Sequence, residues 1–150
     1  MTTAAQHLAG HPHVQTIKRY YRACSSGDVV AVAACCTPDV SHYMLQPGHG
    51  PVYGAESLGR FWQGLVSEMG AEWQVEHAIA SDDEAVIEWS MAWNSRRDGE
   101  RYIVHGAEWY RFDGELISEI RAYYRQEGPA DTGLQGFPYG GRGYTIIDRS

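Results

Sequence analysis

The sequence predicts a single α+β domain in which a curved, mixed but mostly antiparallel β-sheet wraps around three N-terminal helices. Two observations indicate this class. Three segments with helical apolar spacing come first, and the segments that follow alternate apolar and polar residues as strands do. The chain has 150 residues, of which 43% are hydrophobic, so it can bury one proper core. A sheet wrapped around helices leaves a cone-shaped cavity, where we expect the functional site.

Three segments are predicted to be helical. The first runs from His13 to about Ser26, and a second, short helix covers Val29–Cys36, which is apolar nearly all round and should be buried. The third, Glu56–Met69, is amphipathic and ends at Gly70. The apolar stripe of the first helix consists of Val14, Ile17, Tyr21 and Cys24.

The strands begin with Val40–Leu45, in which His42 and Met44 share one face. After the third helix, Trp73, Val75, His77 and Ile79 alternate with polar or small residues, and Ala85 to Trp93 returns antiparallel. The chain then forms its central hairpin, Arg101–Tyr124, joined at Asp113-Gly114, a turn sequence in which both positions accept positive φ.

The ends of the chain differ from the domain between them. Residues 1–12 are predicted to be a flexible leader, and residues 13–126 form the domain. Residues 127–150 are Gly-rich, yet they carry Leu134, Phe137, Tyr139 and Tyr144. Because a disordered tail would lack such aromatics, we expect this segment to pack back as a lid over the cavity or as a dimer contact.

Charge and motifs exclude several functions. The net charge of −7 disfavours nucleic acid and anionic membranes as partners. No apolar run approaches the roughly 20 residues of a membrane span, and the start, MTTAAQHLAGHPH, does not resemble a signal peptide. Three cysteines, two of them adjacent, argue against a disulfide framework and for a reduced, cytoplasmic protein. No nucleotide-binding motif or metal-ligand spacing is present, so we expect neither cofactor nor metal.

The candidate catalytic residues lie on the predicted strands. His42, His77 and His105 are imidazoles that could converge on one cavity, and imidazole transfers protons near neutral pH. Glu108 shares a strand face with Tyr110 and is a candidate neutral acid or, beside a histidine, an orienting carboxylate. Regular pleating places Glu108 and His105 on opposite faces unless a bulge intervenes.

Five tryptophans and ten tyrosines predict a cavity lined by aromatic rings, suited to a flat hydrophobic ligand. The residues predicted to contact this ligand are Met44, Trp62, Trp89, Tyr110 and Tyr124.

Four segments together resemble the nuclear transport factor 2-like superfamily, which includes ketosteroid isomerase, scytalone dehydratase and the SnoaL-like polyketide cyclases. They are YYRACSSGD, CCTPDVSHYM, GAESLGRFW and EWYRFDGELISEIRAYY. The resemblance covers about residues 13–126 and implies a cystatin-like α+β barrel. It also implies a homodimer, since relatives commonly pair through the other face of the sheet.

The resemblance assigns roles to individual residues. Tyr20 matches the oxyanion-hole tyrosine of ketosteroid isomerase, and Glu108 matches the acid beside it. The catalytic base of that isomerase falls at Met44, which cannot accept a proton. His77 resembles the catalytic histidine of scytalone dehydratase, but the aspartate that this histidine pairs with falls near Ser25.

We therefore predict a cofactor-independent lyase that dehydrates a hydrophobic, aromatic small molecule or releases a carbonyl fragment from it by a retro-aldol step. A histidine would act as base, with Tyr20 and Glu108 donating to the oxygen that gains charge. A SnoaL-like cyclase or ketosteroid-type isomerase is one alternative. A non-catalytic ligand-binding or dimerisation domain is another, and exposure of His77 and Glu108 on the outer sheet face would favour it.

Overall fold

The computed structural model describes residues 10–146. Residues 1–9 of the predicted leader and residues 147–150 of the tail lie outside the described residues. The elements are α1 (Pro12–Ser26), α2 (Val29–Ala34), β1 (Cys36–Met44), β2 (Val52–Tyr53), α3 (Ala55–Met69), β3 (Glu72–Ala80), β4 (Glu84–Asn94), β5 (Arg101–Asp113), β6 (Leu116–Tyr123) and a 3₁₀ turn (Gly140–Arg142).

The six strands form one mixed sheet in the order β2-β1-β6-β5-β4-β3. Strand β1 runs parallel to β6, and the other neighbouring pairs are antiparallel. The helices pack against one face, called here the inner face, and the core lies between them and the sheet. The predicted α+β class is confirmed.

Helix α1 begins and ends with recognisable caps. A ring nitrogen of His11 accepts the backbone N–H of His13 at 3.1 Å, and Gly27 ends the helix with a φ of 67°. Asp28 follows at once and caps α2 through the N–H of Ala31, at 3.0 Å. These two caps set the sharp corner between the helices. The predicted apolar stripe of α1 is buried against the sheet.

Helix α2 differs from its prediction. It ends at Ala34, only Val32 is buried within it, and Val30 is 80% exposed. The prediction of a buried helix extending to Cys36 is wrong because Cys36 already belongs to β1, where it pairs with Ile117 of β6. The apolar composition of this segment therefore does not show at which residue the helix ends and the strand begins.

The central hairpin has the predicted facing. Glu108, Tyr110 and Phe112 of β5 are buried on the inner face, as are Ile120 and Ala122 of β6. The turn differs from the prediction in one respect. Within it, only Gly114 takes a positive φ, of 61°, and Asp113 does not.

Strand β3 contains a bulge that changes which face its residues occupy. Val75 pairs with Trp89, but the next pair is His77 with Glu88, so Glu76 is an extra residue. Trp73 and Val75 pack against the core before the bulge, as Ala78 and Ala80 do after it. The expected alternation through His77 and Ile79 is therefore wrong, and both side chains lie on the outer face.

The C-terminal tail follows the edge of β5 and then crosses the outer face. The N–H of His105 donates to the carbonyl of Thr132, and the N–H of Thr132 donates to Ile103, both at 2.9 Å. Further on, the carboxylate of Glu76 accepts the backbone N–H of Thr145 at 3.0 Å. The tail is thus fastened to β5 and β3. Its assignment as a lid or as a dimer contact stays a prediction, as do the domain boundaries.

Candidate functional site

A cavity of about 600 Å³ lies between helices α1 and α3 and the inner face of the sheet. This volume suits a small organic ligand. Its wall is apolar and mainly aromatic, and it includes Met44, Phe61, Trp62, Trp73, Trp89 and Trp93. Four of the five tryptophans thus surround one space, as the prediction of an aromatic cavity requires.

The only carboxylate in the cavity wall, among the residues that the structure describes, belongs to Glu108 on β5, which is 5% exposed. Its Oε1 accepts hydrogen bonds from the hydroxyls of Tyr21 and Tyr110, the latter at 2.8 Å. Burial, and then the charge of Glu108, raise the pKa of both tyrosines well above the ordinary value. Both hydroxyls therefore remain neutral donors to this carboxylate.

His42 supports the second oxygen of Glu108. Its Nε2 lies 3.4 Å from Oε2, and the ring is 1% exposed. Its Nδ1 has no partner among the described residues, so we assign the ring proton to Nε2, which can donate to the carboxylate. Ala122 of β6 pairs with Glu108, and its small side chain leaves room for His42 and Glu108 to meet across that strand.

Tyr20 provides a hydroxyl in the wall of the same cavity. It accepts the indole N–H of Trp62 at 2.7 Å, and Cys24 lines the cavity beside it. Burial raises the pKa of Tyr20 well above its ordinary value. The hydroxyl is therefore neutral and can donate its proton to a ligand oxygen.

The position of Trp89 in the cavity wall depends on Gly106. Trp89 of β4 lies against Gly106 of β5, where a Cβ would come 2.5 Å from the indole ring. On its other side Trp89 meets the edge of Tyr124, with ring centroids 5.5 Å apart. Gly106 therefore lets the indole lie flat against the sheet and keeps the cavity open.

The mouth of the cavity is polar. Ser95, Arg96 and Arg97, from the loop between β4 and β5, contribute to it, as do Gln46 and His49 from the loop after β1. The Gln46 side chain is bonded to the backbone of Gln126 in both directions, at 2.6 and 3.2 Å. This pair ties the β1 loop to the start of the tail, so Gln126, Gly128 and Pro129 also line the mouth.

The structure brings together only part of the predicted set. The predicted residues that line the cavity are Tyr20, Met44, Trp62, Trp89, Glu108 and Tyr124. His42 and Tyr110 do not line it, and lie behind the carboxylate of Glu108 as its hydrogen-bond partners. The expected convergence of three imidazoles is not found, because His77 and His105 project from the outer face.

On the outer face, the two histidines belong to a second polar cluster beneath the tail. His77 Nδ1 lies 3.0 Å from Glu88 Oε1 and 3.3 Å from the hydroxyl of Tyr144. Desolvation pushes the pKa of Glu88 upward, but hydrogen bonds from Tyr144 and His77 outweigh it and lower that pKa. The His77 side chain is 53% exposed.

His105 neighbours this cluster. Its Nδ1 lies 2.8 Å from Ser90 Oγ, and the ring of Tyr139 stacks on it at 3.8 Å. Burial lowers the pKa of His105, although the carboxylates of Glu76, Asp131 and Glu88 act in the opposite direction. The tail thus covers a neutral imidazole.

Sequence reasoning missed Tyr21 as a partner of Glu108. Helical spacing contained the signal, because Tyr21 follows Ile17 by four residues and belongs to the same inward stripe. The adjacent Tyr20 was preferred on the resemblance alone, although both tyrosines reach the cavity.

Residues 10–146 have neither a metal-ligand cluster nor a membrane-spanning helix. No group of three or more His, Cys, Asp and Glu side chains is arranged to hold a metal ion there. No helix in that range has the length and hydropathy to cross a bilayer. The cysteines at 24, 35 and 36 are free and buried.

The fold and the cavity define an α+β domain that binds or transforms small molecules. Within that class, the chain belongs to the SnoaL-like domain family, whose sequence profile matches residues 17–120. Its architecture is that of the nuclear transport factor 2-like superfamily, as the sequence predicted. No protein with a curated description matches the chain significantly.

Solved structures from three organisms share the fold. A protein of unknown function with a cystatin-like fold from Methylobium petroleophilum PM1 is 28% identical, with 93% of this chain and 94% of that chain covered and a TM-score of 0.67. A putative polyketide cyclase from Xanthomonas campestris pv. campestris is 19% identical over 76% of this chain and 90% of that chain, with a TM-score of 0.65. An LEH-like epoxide hydrolase from M. tuberculosis is 16% identical over 76% and 83%, with a TM-score of 0.61.

Proposed function

We propose that the chain is a cofactor-independent enzyme that moves protons on a hydrophobic carbonyl compound bound in the aromatic cavity. The observation that carries this proposal is the buried carboxylate of Glu108, placed in an otherwise apolar wall and held by Tyr21, Tyr110 and His42. A carboxylate fixed by several donors at a water-poor surface is a general base with a defined orientation.

The three groups that hold Glu108 all donate to it, as a base in this position requires, because a carboxylate that acts as a base accepts hydrogen bonds at both oxygens and donates none. Glu108 is therefore the base in our proposal, in place of the histidine expected from the sequence. His42 is a positioning residue that acts through Glu108, since it does not line the cavity.

The reaction class follows from the pair formed by Glu108 and Tyr20. Glu108 removes a proton from the carbon next to a carbonyl, the C–H electrons move into the C–C–O system, and the hydroxyl of Tyr20 stabilises the enolate oxygen. Loss of the β hydroxyl as water, with the proton returned from Glu108, then gives dehydration. In a β,γ-unsaturated ketone, return of that proton to the γ carbon gives isomerisation. Retro-aldol cleavage and its reverse, aldol cyclisation, pass through the same enolate.

The lyase expected from the sequence is retained in this proposal. It shares the enolate intermediate with the isomerase and cyclase alternatives. The similarity to a putative polyketide cyclase supports the same type of chemistry only through the fold.

A ligand-binding protein without catalysis is the second candidate. One specific observation favours it, namely that His77 and His105 face away from the cavity, so that the wall carries fewer proton-transfer groups than predicted. The two candidates make opposite predictions for Glu108, since a binder needs no proton acceptor there.

The test is deuterium exchange into a panel of aromatic ketones and β-hydroxy ketones in D₂O, followed by mass spectrometry. Exchange at the carbon next to the carbonyl reports enolate formation whatever the complete reaction is. Binding is followed in parallel through quenching of the cavity tryptophans, with Trp109→Phe as background because Trp109 is half-exposed outside the cavity.

We expect Glu108→Gln to slow exchange about 10²- to 10⁴-fold while binding persists. Glu88→Gln is the matched control, because it neutralises the carboxylate of the outer cluster and should leave exchange unchanged. Binding without exchange for every compound would overturn the proposal in favour of the binder. Exchange that survives Glu108→Gln would overturn the assignment of Glu108 as the base.

A further inference from the structure

The mouth of the cavity carries two cations that the proposed proton transfer does not use. Arg96 and Arg97 both line the cavity, although each is exposed to solvent. Arg60, Arg101, Arg121 and Arg125 are each paired with a carboxylate, whereas no described residue forms an ion pair with Arg96 or Arg97. The same holds for Arg19, Arg22, Arg111 and Arg142, but among the described arginines only Arg96 and Arg97 line the cavity. In a chain of net charge −7, two adjacent unpaired guanidinium groups at a cavity mouth need an explanation.

The loop that carries these arginines is ordered by its own hydrogen bonds. The N–H of Ser95 donates to Glu100 and the N–H of Gly99 donates to Ser95, both at 2.9 Å. The Ser95 hydroxyl also accepts the N–H of Arg97 at 3.1 Å. The loop therefore holds the two guanidinium groups at the mouth at a lower entropic cost than a flexible loop would.

The nearest acidic side chain in this loop is already engaged. Asp98 accepts the hydroxyl of Tyr102 through one oxygen and the N–H of Glu100 through the other, the latter at 3.0 Å. It therefore closes the loop and forms no ion pair with either arginine. The guanidinium groups keep their donors for a group that comes from outside the chain.

The charges are arranged so that a ligand can bind in one direction. Glu108 is the carboxylate of the deep wall, and it would repel an anionic group placed against it. An anionic group is instead attracted to the mouth, where guanidinium groups bind carboxylates through paired N–H donors. The long apolar wall between these two ends suits the body of the same molecule.

From this arrangement we infer that the natural ligand is an amphipathic anion, a flat aromatic or polycyclic body with a carboxylate at the end remote from its reacting carbonyl. Arg96 and Arg97 bind the carboxylate at the mouth and so orient the neutral, reacting end towards Glu108. This inference rests on the proposed role of the cavity as the ligand site.

The experiment compares two fluorescent probes that differ by one anionic group. 1-Anilinonaphthalene-8-sulfonate carries a sulfonate, and N-phenyl-1-naphthylamine is the same aromatic body without it. Affinities of both are measured for the wild-type chain, for Arg96→Ala/Arg97→Ala, and for Arg60→Ala, which removes a cation paired with Glu56 on the surface of α3. Energy transfer from the cavity tryptophans, measured in a Trp109→Phe background, locates both probes in the cavity.

We expect the double variant to lose about tenfold in affinity for the anionic probe and to bind the neutral probe unchanged. Arg60→Ala should change neither affinity. Equal losses for both probes, an unchanged preference for the anion, or an equal effect of Arg60→Ala would overturn the inference, as would the absence of energy transfer from the cavity tryptophans to the probes.

Neither probe has an acidic proton next to a carbonyl, so the outcome does not depend on catalysis. Selectivity for the anion without deuterium exchange in any ketone would support the anion site and reject the enzyme. Deuterium exchange without selectivity for the anionic probe would support the enzyme and reject the anion site.

Discussion

The two faces of the sheet carry the same three kinds of side chain in different surroundings. On the inner face, Glu108 is joined by tyrosines and by His42, all of them buried. On the outer face, Glu88 is joined by Tyr144 and by His77, whose side chain is half-exposed. Only the inner cluster borders the cavity. Residue type therefore does not identify the site, whereas strand facing and access to the cavity do.

The comparison is tested most strongly by making the same substitution on each face. Tyr110→Phe removes one donor from a buried carboxylate, so we expect the free energy of unfolding to fall by about 1.5–3 kcal/mol. Tyr144→Phe removes a hydroxyl from a cluster that water reaches, and it should cost at most about 1 kcal/mol. Urea denaturation measures both. Equal losses would mean that the two clusters do not differ in the way their burial indicates.

A second pair of substitutions compares how rigid the two faces are. A Cβ at Gly106 would come 2.5 Å from Trp89 and 2.9 Å from the carbonyl of Tyr123, between strands that cannot separate. A Cβ at Gly133 would come 2.8 Å from the Tyr139 hydroxyl and 2.9 Å from the His105 ring, which are partly exposed side chains rather than backbone. We expect Gly106→Ala to cost about 1–3 kcal/mol and Gly133→Ala to leave the unfolding free energy within about 0.5 kcal/mol.

Gly64→Ala serves as the reference for these glycine variants, since nothing lies within 4 Å of its added Cβ. This change in helix α3 should stabilise the chain by roughly 0.4–1 kcal/mol. A Gly133→Ala variant that destabilised as much as Gly106→Ala would show that the tail is as firmly packed as the sheet.

The smallest expected effect is a pH dependence of the attachment of the tail to the outer face. Burial lowers the pKa of His105 below its ordinary value near 6.5. When the tail detaches, the exposed imidazole binds a proton more readily, so attachment of the tail weakens as the pH falls below about 6.5. Between pH 7.5 and about 5.5, hydrogen exchange of the Thr132 amide should show a severalfold loss of protection.

The control for this response is His105→Phe, which keeps a ring for Tyr139 to stack on but cannot titrate. Its tail protection should be independent of pH over the same range. Exchange in the middle of β1, which β6 separates from β5, should not change in either protein. A response of the same size in His105→Phe would assign the effect to another group.

Much of the fold follows from local patterns in the sequence. The periodicity of α1, the stop at Gly70 and the facing of Glu108 and Tyr110 in the central hairpin are predicted directly, because each depends on neighbours within a few residues. The end of α2 was not predictable in this way, because Cys36 is drawn into the sheet by Ile117, a partner distant in the chain.

The site was predictable only in part, for a related reason. Glu108 and Tyr20, both named from the sequence, line the cavity. His105 was kept as a catalytic candidate although regular pleating places it opposite Glu108, and it lies on the outer face. His77 was placed by continuing the alternation of β3, and the extra residue Glu76 reverses that alternation. Nothing in the residues around Glu76 predicts a bulge there. The carboxylate of Glu76 binds the backbone of Thr145, which is distant in the chain.

The tail is relevant to the predicted dimer and to the similarity with a solved structure. It covers part of the outer face, where the resemblance implies a dimer contact, while Trp109 and Tyr123 remain exposed on β5 and β6. Homodimerisation stays a prediction. The similarity to the M. petroleophilum protein covers 93% of this chain, more than residues 1–126 could supply, so it includes part of the tail.

The parallel pairing of β1 with β6 has a consequence for how the protein is made. During synthesis, β1 leaves the ribosome early, but one of its two neighbours in the sheet is the last strand of the domain to emerge. The edge of β1 that pairs with β6 stays open until then, and chain closure over so long a segment is slow. Because β6 also separates His42 from Glu108, the cluster around Glu108 and the complete sheet should form in the same late step of folding.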